Sequence, residues 1–135
     1  MTDHLDEFDR SRLHYAALEN DVGSAHARIA VGDDPSLGDK HGHTPLHFAA
    51  QEGSLDVARL LLASGADVDP LNEHGNTPLM AAVFNSRGRG DLIELLRANG
   101  ADPLQPNSSG QTPVGLARLI GNFDVAQFFA DVPDQ

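Results

Sequence analysis

The sequence predicts an all-α solenoid of four stacked helix-turn-helix units joined by tight turns, forming one domain over residues 1–135. Three observations carry this. Thr44-Pro45-Leu46 returns as Thr77-Pro78-Leu79 and as Thr112-Pro113-Val114, spacings of 33 and 35 residues. Gly65-Ala66-Asp67 returns as Gly100-Ala101-Asp102. Between these signals the apolar residues fall at i, i+3 and i+4, the spacing of short amphipathic helices. A period in this range belongs to stacked repeats, each too small to bury its own apolar face. The units run over approximately 8–40, 41–73, 74–108 and 109–135.

The first unit is the weakest copy. Leu13-His14-Tyr15-Ala16-Ala17 matches Leu46-His47-Phe48-Ala49-Ala50, and Gly32-Asp33-Asp34 matches Gly65-Ala66-Asp67. Ser11-Arg12 stands where the others have Thr-Pro, and His26 and Arg28 dilute its second helix. In the second unit Thr44 is an N-cap and Pro45 sits at the first helical position, where a missing N–H costs nothing. Ala49 and Ala50 allow close packing against a neighbour. Gly53 breaks this helix, a second follows through residues 55–62, and Gly65 ends it at a position that favours φ > 0. The third unit repeats the plan from Thr77-Pro78, with a two-residue insertion assigned to residues 85–90, between its helices. A valine is expected to cost far less at Gly88 in that loop than at Gly65. The fourth unit holds three of the six phenylalanines, Phe123, Phe128 and Phe129, expected to seal the open end of the stack. His41-Gly42, His74-Gly75 and Ser109-Gly110 have the composition of tight turns between units.

The succession Gly-x-Thr-Pro-Leu-His-x-Ala-Ala, Gly-x-x-x-Val-Ala-x-Leu-Leu-Leu and Gly-Ala-Asp resembles the ankyrin repeat. The likeness covers about residues 8 to 131 and is nearly complete over residues 39–72. Departures lie at the ends: Ser11-Arg12 in the first unit, and Gly115 where the motif places histidine in the last. The resemblance implies that His14 and His47 tie hydroxyl and backbone groups together, a role Met80 does not share. It also implies a concave groove lined by the turn tips and by two columns of residues on the inner helices. One column reads Leu18, Gln51, Phe84 and Leu119, the other Glu19, Glu52, Asn85 and Ile120. The tips contribute Lys40, His41 and His43, then Glu73, His74 and Asn76, then Ser108, Ser109 and Gln111. The expected partner-binding residues are Glu19, Lys40, His41, His43, Glu52, Glu73, His74, Asn76, Phe84, Asn85 and Leu119. Apolar anchors within a polar rim are what interface hot spots look like.

Composition narrows the function. Twenty acidic against nine basic residues give a net charge of −11, which argues against nucleic acid and for a protein partner with a basic surface. With no cysteine there is no disulfide, thiol nucleophile or thiolate metal site. Apolar runs are too short to span a membrane, and Asp3, Asp6, Glu7 and Asp9 are the opposite of a basic leader, so a cytoplasmic location is expected. No serine lies in a Gly-x-Ser-x-Gly elbow, and no glycine-rich phosphate loop precedes a helix. His41-x-His43 beside Asp39 lacks a closed four-ligand set, so neither metal nor cofactor is expected. The reading is a non-catalytic binding module, monomeric, with a homodimer through the phenylalanine-rich end left open. Eight arginines to one lysine point to a bacterial source, and the chain resembles small bacterial ankyrin proteins such as immunity or inhibitor proteins. The competing readings are a metal-dependent enzyme using the histidine tips and a self-assembling structural protein.

Overall fold

The computed structural model describes residues 5–120 and 123–133, residues 123 and 124 in their backbone only. Among the described residues there are α-helices and a single 3-10 turn but no strand. The helices come in pairs: α1 (Arg12–Glu19) with α2 (Val22–Ala30), α3 (Pro45–Glu52) with α4 (Leu55–Ala63), α5 (Pro78–Phe84) with α6 (Asp91–Ala98), and α7 (Pro113–Leu119) with α8 (Phe123–Ala126). The turn Gln127–Phe129 continues α8. The first helices of successive pairs pack on one another to form an inner row, α1 on α3 on α5 on α7, and α2, α4 and α6 form an outer row.

The inner helices begin as the sequence requires. Thr44, Thr77 and Thr112 take extended N-cap conformations, and their hydroxyls accept the amides of His47, Met80 and Gly115. Ser11 does the same work for α1 within a reciprocal cap involving His14. Leu13, Leu46, Leu79 and Val114, at matching positions, are completely buried, and Ala17, Ala49 and Ala117 let the helices approach closely. Outer helices differ with position in the stack. Helix α4 buries Val57, Ala58 and Leu61, whereas α2 in the first unit buries only Ala25.

The tips form a regular ladder. Each opens on an Asp or Asn whose Oδ1 accepts the amides two and four residues on: Asp6 from Phe8 and Arg10, Asp39 from His41 and His43, Asn72 from His74 and Asn76, Asn107 from Ser109 and Gln111, all at 2.9–3.0 Å. The residue three after each acceptor turns the chain with positive φ, supplied by Gly42, Gly75 and Gly110 but by Asp9 in the first tip. Main-chain bonds then join tip to tip, from Lys40 N to Phe8 O, Glu73 N to His41 O and Ser108 N to His74 O.

The end of the stack is sealed by Phe129, which is completely buried, and by half-buried Phe128. Phe128 lies so close to Gly90 that a methyl group there would overlap its ring. The Phe123 side chain lies outside the described residues. One expectation is corrected in the inserted loop. Gly88 has φ +84°, close to the +91° of Gly65, so a β-branched residue is strained at both and Gly88 is not the permissive site.

Candidate protein-interaction cleft

The second, third and fourth tips and the inner helices α3, α5 and α7 enclose a cleft of about 290 Å³. His43, Asn72, His74, Asn76, Asn107 and Gln111 come from the tips, and Gln51, Met80, Phe84, Asn85 and Leu116 from the helices and their ends. Among the described residues, no carboxylate, lysine or arginine lines it. Six of its residues are carboxamides: Gln51, Asn72, Asn76, Asn85, Asn107 and Gln111. In a chain with a net charge of −11, this is an uncharged surface.

Phe84 is the apolar feature of this wall. It is 74% exposed, and Leu119, at the matching position of α7, is 73% exposed. Neither fills the repeat core. Helix α5 ends at Phe84, leaving the ring on its last turn beside Asn85, whose Nδ2 donates to the Ala81 carbonyl. Single exposed apolar residues are ordinary on a surface; these two occupy matching positions on neighbouring inner helices.

Two buried histidines hold the tips against this wall. His47 Nδ1 accepts the Thr44 amide, so the proton sits on Nε2, which donates to the Asn76 carbonyl in the next tip at 2.8 Å. His14 repeats this one unit earlier, between Ser11 and the His43 carbonyl. Burial pushes the pKa of His47 down to about 4 and lowers that of His14. Met80 replaces the histidine in the third unit, and there Asn107 Nδ2 donates to Asn76 Oδ1 at 2.8 Å.

His43 is not a solvated tip residue. Its ring stacks on Phe48 with centroids 5.4 Å apart, and its Nδ1 lies 3.6 Å from Asp39. Asp39 is itself enclosed and paired with Arg10 at 3.0 Å. Burial pushes its pKa up, but the Arg10 guanidinium and the amides of His43 and His41 outweigh that and hold it below the ordinary carboxylate value. Arg10 in turn lies over the Phe8 and Phe48 rings, at 4.8 and 4.9 Å.

Charged groups flank the cleft. Glu73 accepts from His41 Nδ1 at 2.9 Å and stands 3.5 Å from His74 Nε2, and the bond from His41 chiefly lowers its pKa. Lys40 is exposed on the second tip. The structure therefore brings His43, His74, Asn76, Phe84 and Asn85 together, with His41 and Glu73 as a pair at the tips. It separates others. Glu52 faces a polar recess with Arg87 and Arg89. Leu119 does not line the cleft, and Glu19 lies in a recess of the first unit with Arg12, Tyr15 and Arg28. Among the described residues, no three His, Cys, Asp or Glu side chains are grouped to hold a metal ion, and no helix is long and apolar enough to cross a membrane.

Sequence reasoning missed the tip acceptors and Arg10. The acceptors carried a signal, an Asp or Asn at spacings of 33, 33 and 35 residues; Arg10 carried none.

Paired short helices, hydroxyl caps and bonded tips define a helical-repeat protein. The family model for ankyrin repeats, three copies, matches residues 13–107, and the chain belongs to the ankyrin-repeat family. Ankyrin repeats are generally protein–protein interaction modules. No curated protein matches this chain.

Proposed function

We propose that this chain is a non-catalytic binding protein that takes a partner with a basic surface across the cleft and its tips. The observation that carries the reading is Phe84, 74% exposed at the wall of an uncharged cleft. Desolvating such a ring supplies affinity, while the flanking Glu52 and Glu73 supply encounter rate and register. The net charge of −11 sets the sign of the partner. The same charge supports a finer role as a cytoplasmic bacterial immunity or inhibitor protein directed at a basic toxin.

Capture on the full chain with mass spectrometry, then surface plasmon resonance against the captured protein, tests this. Reversing Glu52 and Glu73 to lysine is expected to slow association, with a penalty that shrinks as salt rises. Phe84→Ala is expected to speed dissociation at a cost of about 2 kcal/mol, nearly independent of salt. Unchanged kinetics in both variants, each shown folded, would move the interface off this face.

A further inference from the structure

The third unit adds a feature that the second lacks. Where Gly53 and Ser54 alone join α3 to α4, residues 85–90 join α5 to α6. They are held in a closed turn: the Arg89 amide donates to the Ser86 carbonyl at 2.9 Å, across Arg87 with φ +52° and Gly88 with φ +84°. Both central residues have the left-handed geometry of a mirror-image turn, which arginine rarely adopts. Two arginines are thereby placed side by side on an acidic protein. Arg10, Arg28 and Arg97 are spent on Asp39, Asp33 and Asp131, and Arg118 on main-chain carbonyls. Among the described residues, the exposed guanidinium groups of Arg87 and Arg89, like those of Arg12 and Arg59, have no ion pair or hydrogen bond. Arg89 lies against Gly53, where a methyl group would come within 3.0 Å of Nη2.

These arginines, with Gln51, Glu52, Gly53 and Asn85, line a recess of about 180 Å³. Gln51 and Asn85 also line the uncharged cleft that holds Phe84, so the two concavities adjoin at these side chains. Glu52 Oε2 accepts from Gln51 Nε2 at 3.0 Å and makes no ion pair with either arginine. The recess thus carries two cations against one anion.

We propose that Arg87 and Arg89 bind a carboxylate side chain of the protein partner, carried on the same segment whose apolar side chain packs on Phe84. This rests on the reading of the cleft as a protein-binding site. It adds that a partner basic enough to approach a chain of net charge −11 presents an acidic residue at this point. A single carboxylate tolerates that background field, whereas a polyanion is repelled by it. Arginine's planar fork matches a carboxylate in two parallel bonds, which fixes register as well as adding affinity.

Panning a phage-displayed random peptide library on the immobilised full chain, then measuring the enriched peptides by fluorescence anisotropy, tests the proposal. Enriched peptides are expected to combine Asp or Glu with a nearby aromatic or aliphatic residue. R87Q/R89Q is expected to weaken them about tenfold, and Phe84→Ala about thirtyfold. Changing the peptide's acidic residue to its amide should cost the same factor on the native chain and nothing on R87Q/R89Q, the coupling expected of a direct pair. Circular dichroism melts establish that each variant is folded. Binding that needs Phe84 but ignores R87Q/R89Q overturns the proposal and leaves the cleft reading standing. Peptides indifferent to both, or no enriched peptide, overturn the two together. Displacement by millimolar inorganic phosphate, with no effect of the acid-to-amide change, assigns the arginines to phosphate and also overturns the proposal.

Discussion

Mild acid is expected to loosen the joint between the second and third tips, and His47→Met to remove that sensitivity. His47 is 2% exposed, and burial pushes its pKa down to about 4 although the Asn76 carbonyl works in the opposite direction. In the unfolded chain the imidazole takes up a proton near its ordinary value of about 6.5. Between these two values the unfolded state binds more protons than the folded one. Stability from this group is therefore complete above about pH 6.5 and falls as pH drops toward 4. At about 1.4 kcal/mol per pH unit the loss has a ceiling of about 3 kcal/mol, and about 2 kcal/mol is gone by pH 5. His14, lowered chiefly by burial, adds to the loss with the same sign. The facing groups leave that sign unchanged: Asp39 raises the pKa of His47, and the neighbouring His43 and His14 lower it. Asp39, held below the ordinary carboxylate value, contributes only at lower pH. Methionine is a suitable replacement because Met80 already occupies the matching site, 5% exposed. At about pH 7.5 His47→Met should cost about 1–2 kcal/mol, for the lost bonds to Thr44 and Asn76. By about pH 5 the native chain should have lost that advantage. Urea titrations followed by circular dichroism at both pH values measure it. Equal loss of stability in the two proteins, or a His47 imidazole titrating near 6.5 by NMR, would refute the reasoning.

Three further outcomes follow from the packing. Gly90→Ala should cost about 1–3 kcal/mol by driving a methyl group into the Phe128 ring, and Phe128→Leu in the same chain should recover part of it; denaturant titration decides, and a neutral Gly90→Ala would mean that the last unit does not pack on α6. Asn107→Ala should cost about 2 kcal/mol, because the Ser109 and Gln111 amides and Asn76 Oδ1 all lose a partner, while Ser109→Ala, which keeps its amide, should be nearly silent in the same titration. Excising one period, residues 41–73, should leave a shorter chain that still melts cooperatively, whereas excising residues 41–57 should abolish cooperative melting; similar melts for both would contradict nearest-neighbour stacking.

The legible parts of the fold are those where a local demand admits few residue types. A hydroxyl before proline can start an inner helix, so Thr44, Thr77 and Thr112 announce α3, α5 and α7. The tip acceptor demands only a short side-chain oxygen, which Asp and Asn meet equally, so that column alternates identity and hides. Asp9, standing where later tips have glycine, conceals the first tip further. The stacking of His43 on Phe48, and the Arg10–Asp39 pair across 29 residues, arise only once neighbouring units dock. Phe84 was legible as an apolar anchor of the inner row, and the structure leaves its ring 74% exposed. Its column also holds Gln51 and Leu18, and Leu119 at the matching position of α7 is exposed as well. The arginine turn was legible as an insertion, but its left-handed conformation runs against arginine's preference and had no local signal.

The same tip chemistry explains why the cleft is neutral. Any tip needs an oxygen for two amides, and a carboxylate would serve, as Asp39 does. Asp39, however, is enclosed and depends on Arg10 to offset its charge, and among the described residues no basic residue is bonded to the acceptors of the next two tips. Those tips use Asn72 and Asn107, which supply the oxygen without the charge, and the amide nitrogen of Asn107 does extra work by bonding Asn76. The scaffold's demand is met in both cases, so the choice of amide over acid has its consequence at the surface. Around Phe84 the wall offers uncharged donors and acceptors suited to a peptide main chain. Glu73, Glu52 and the Arg87/Arg89 pair stand at its margins, where a charge can select a partner without having to be desolvated beneath it.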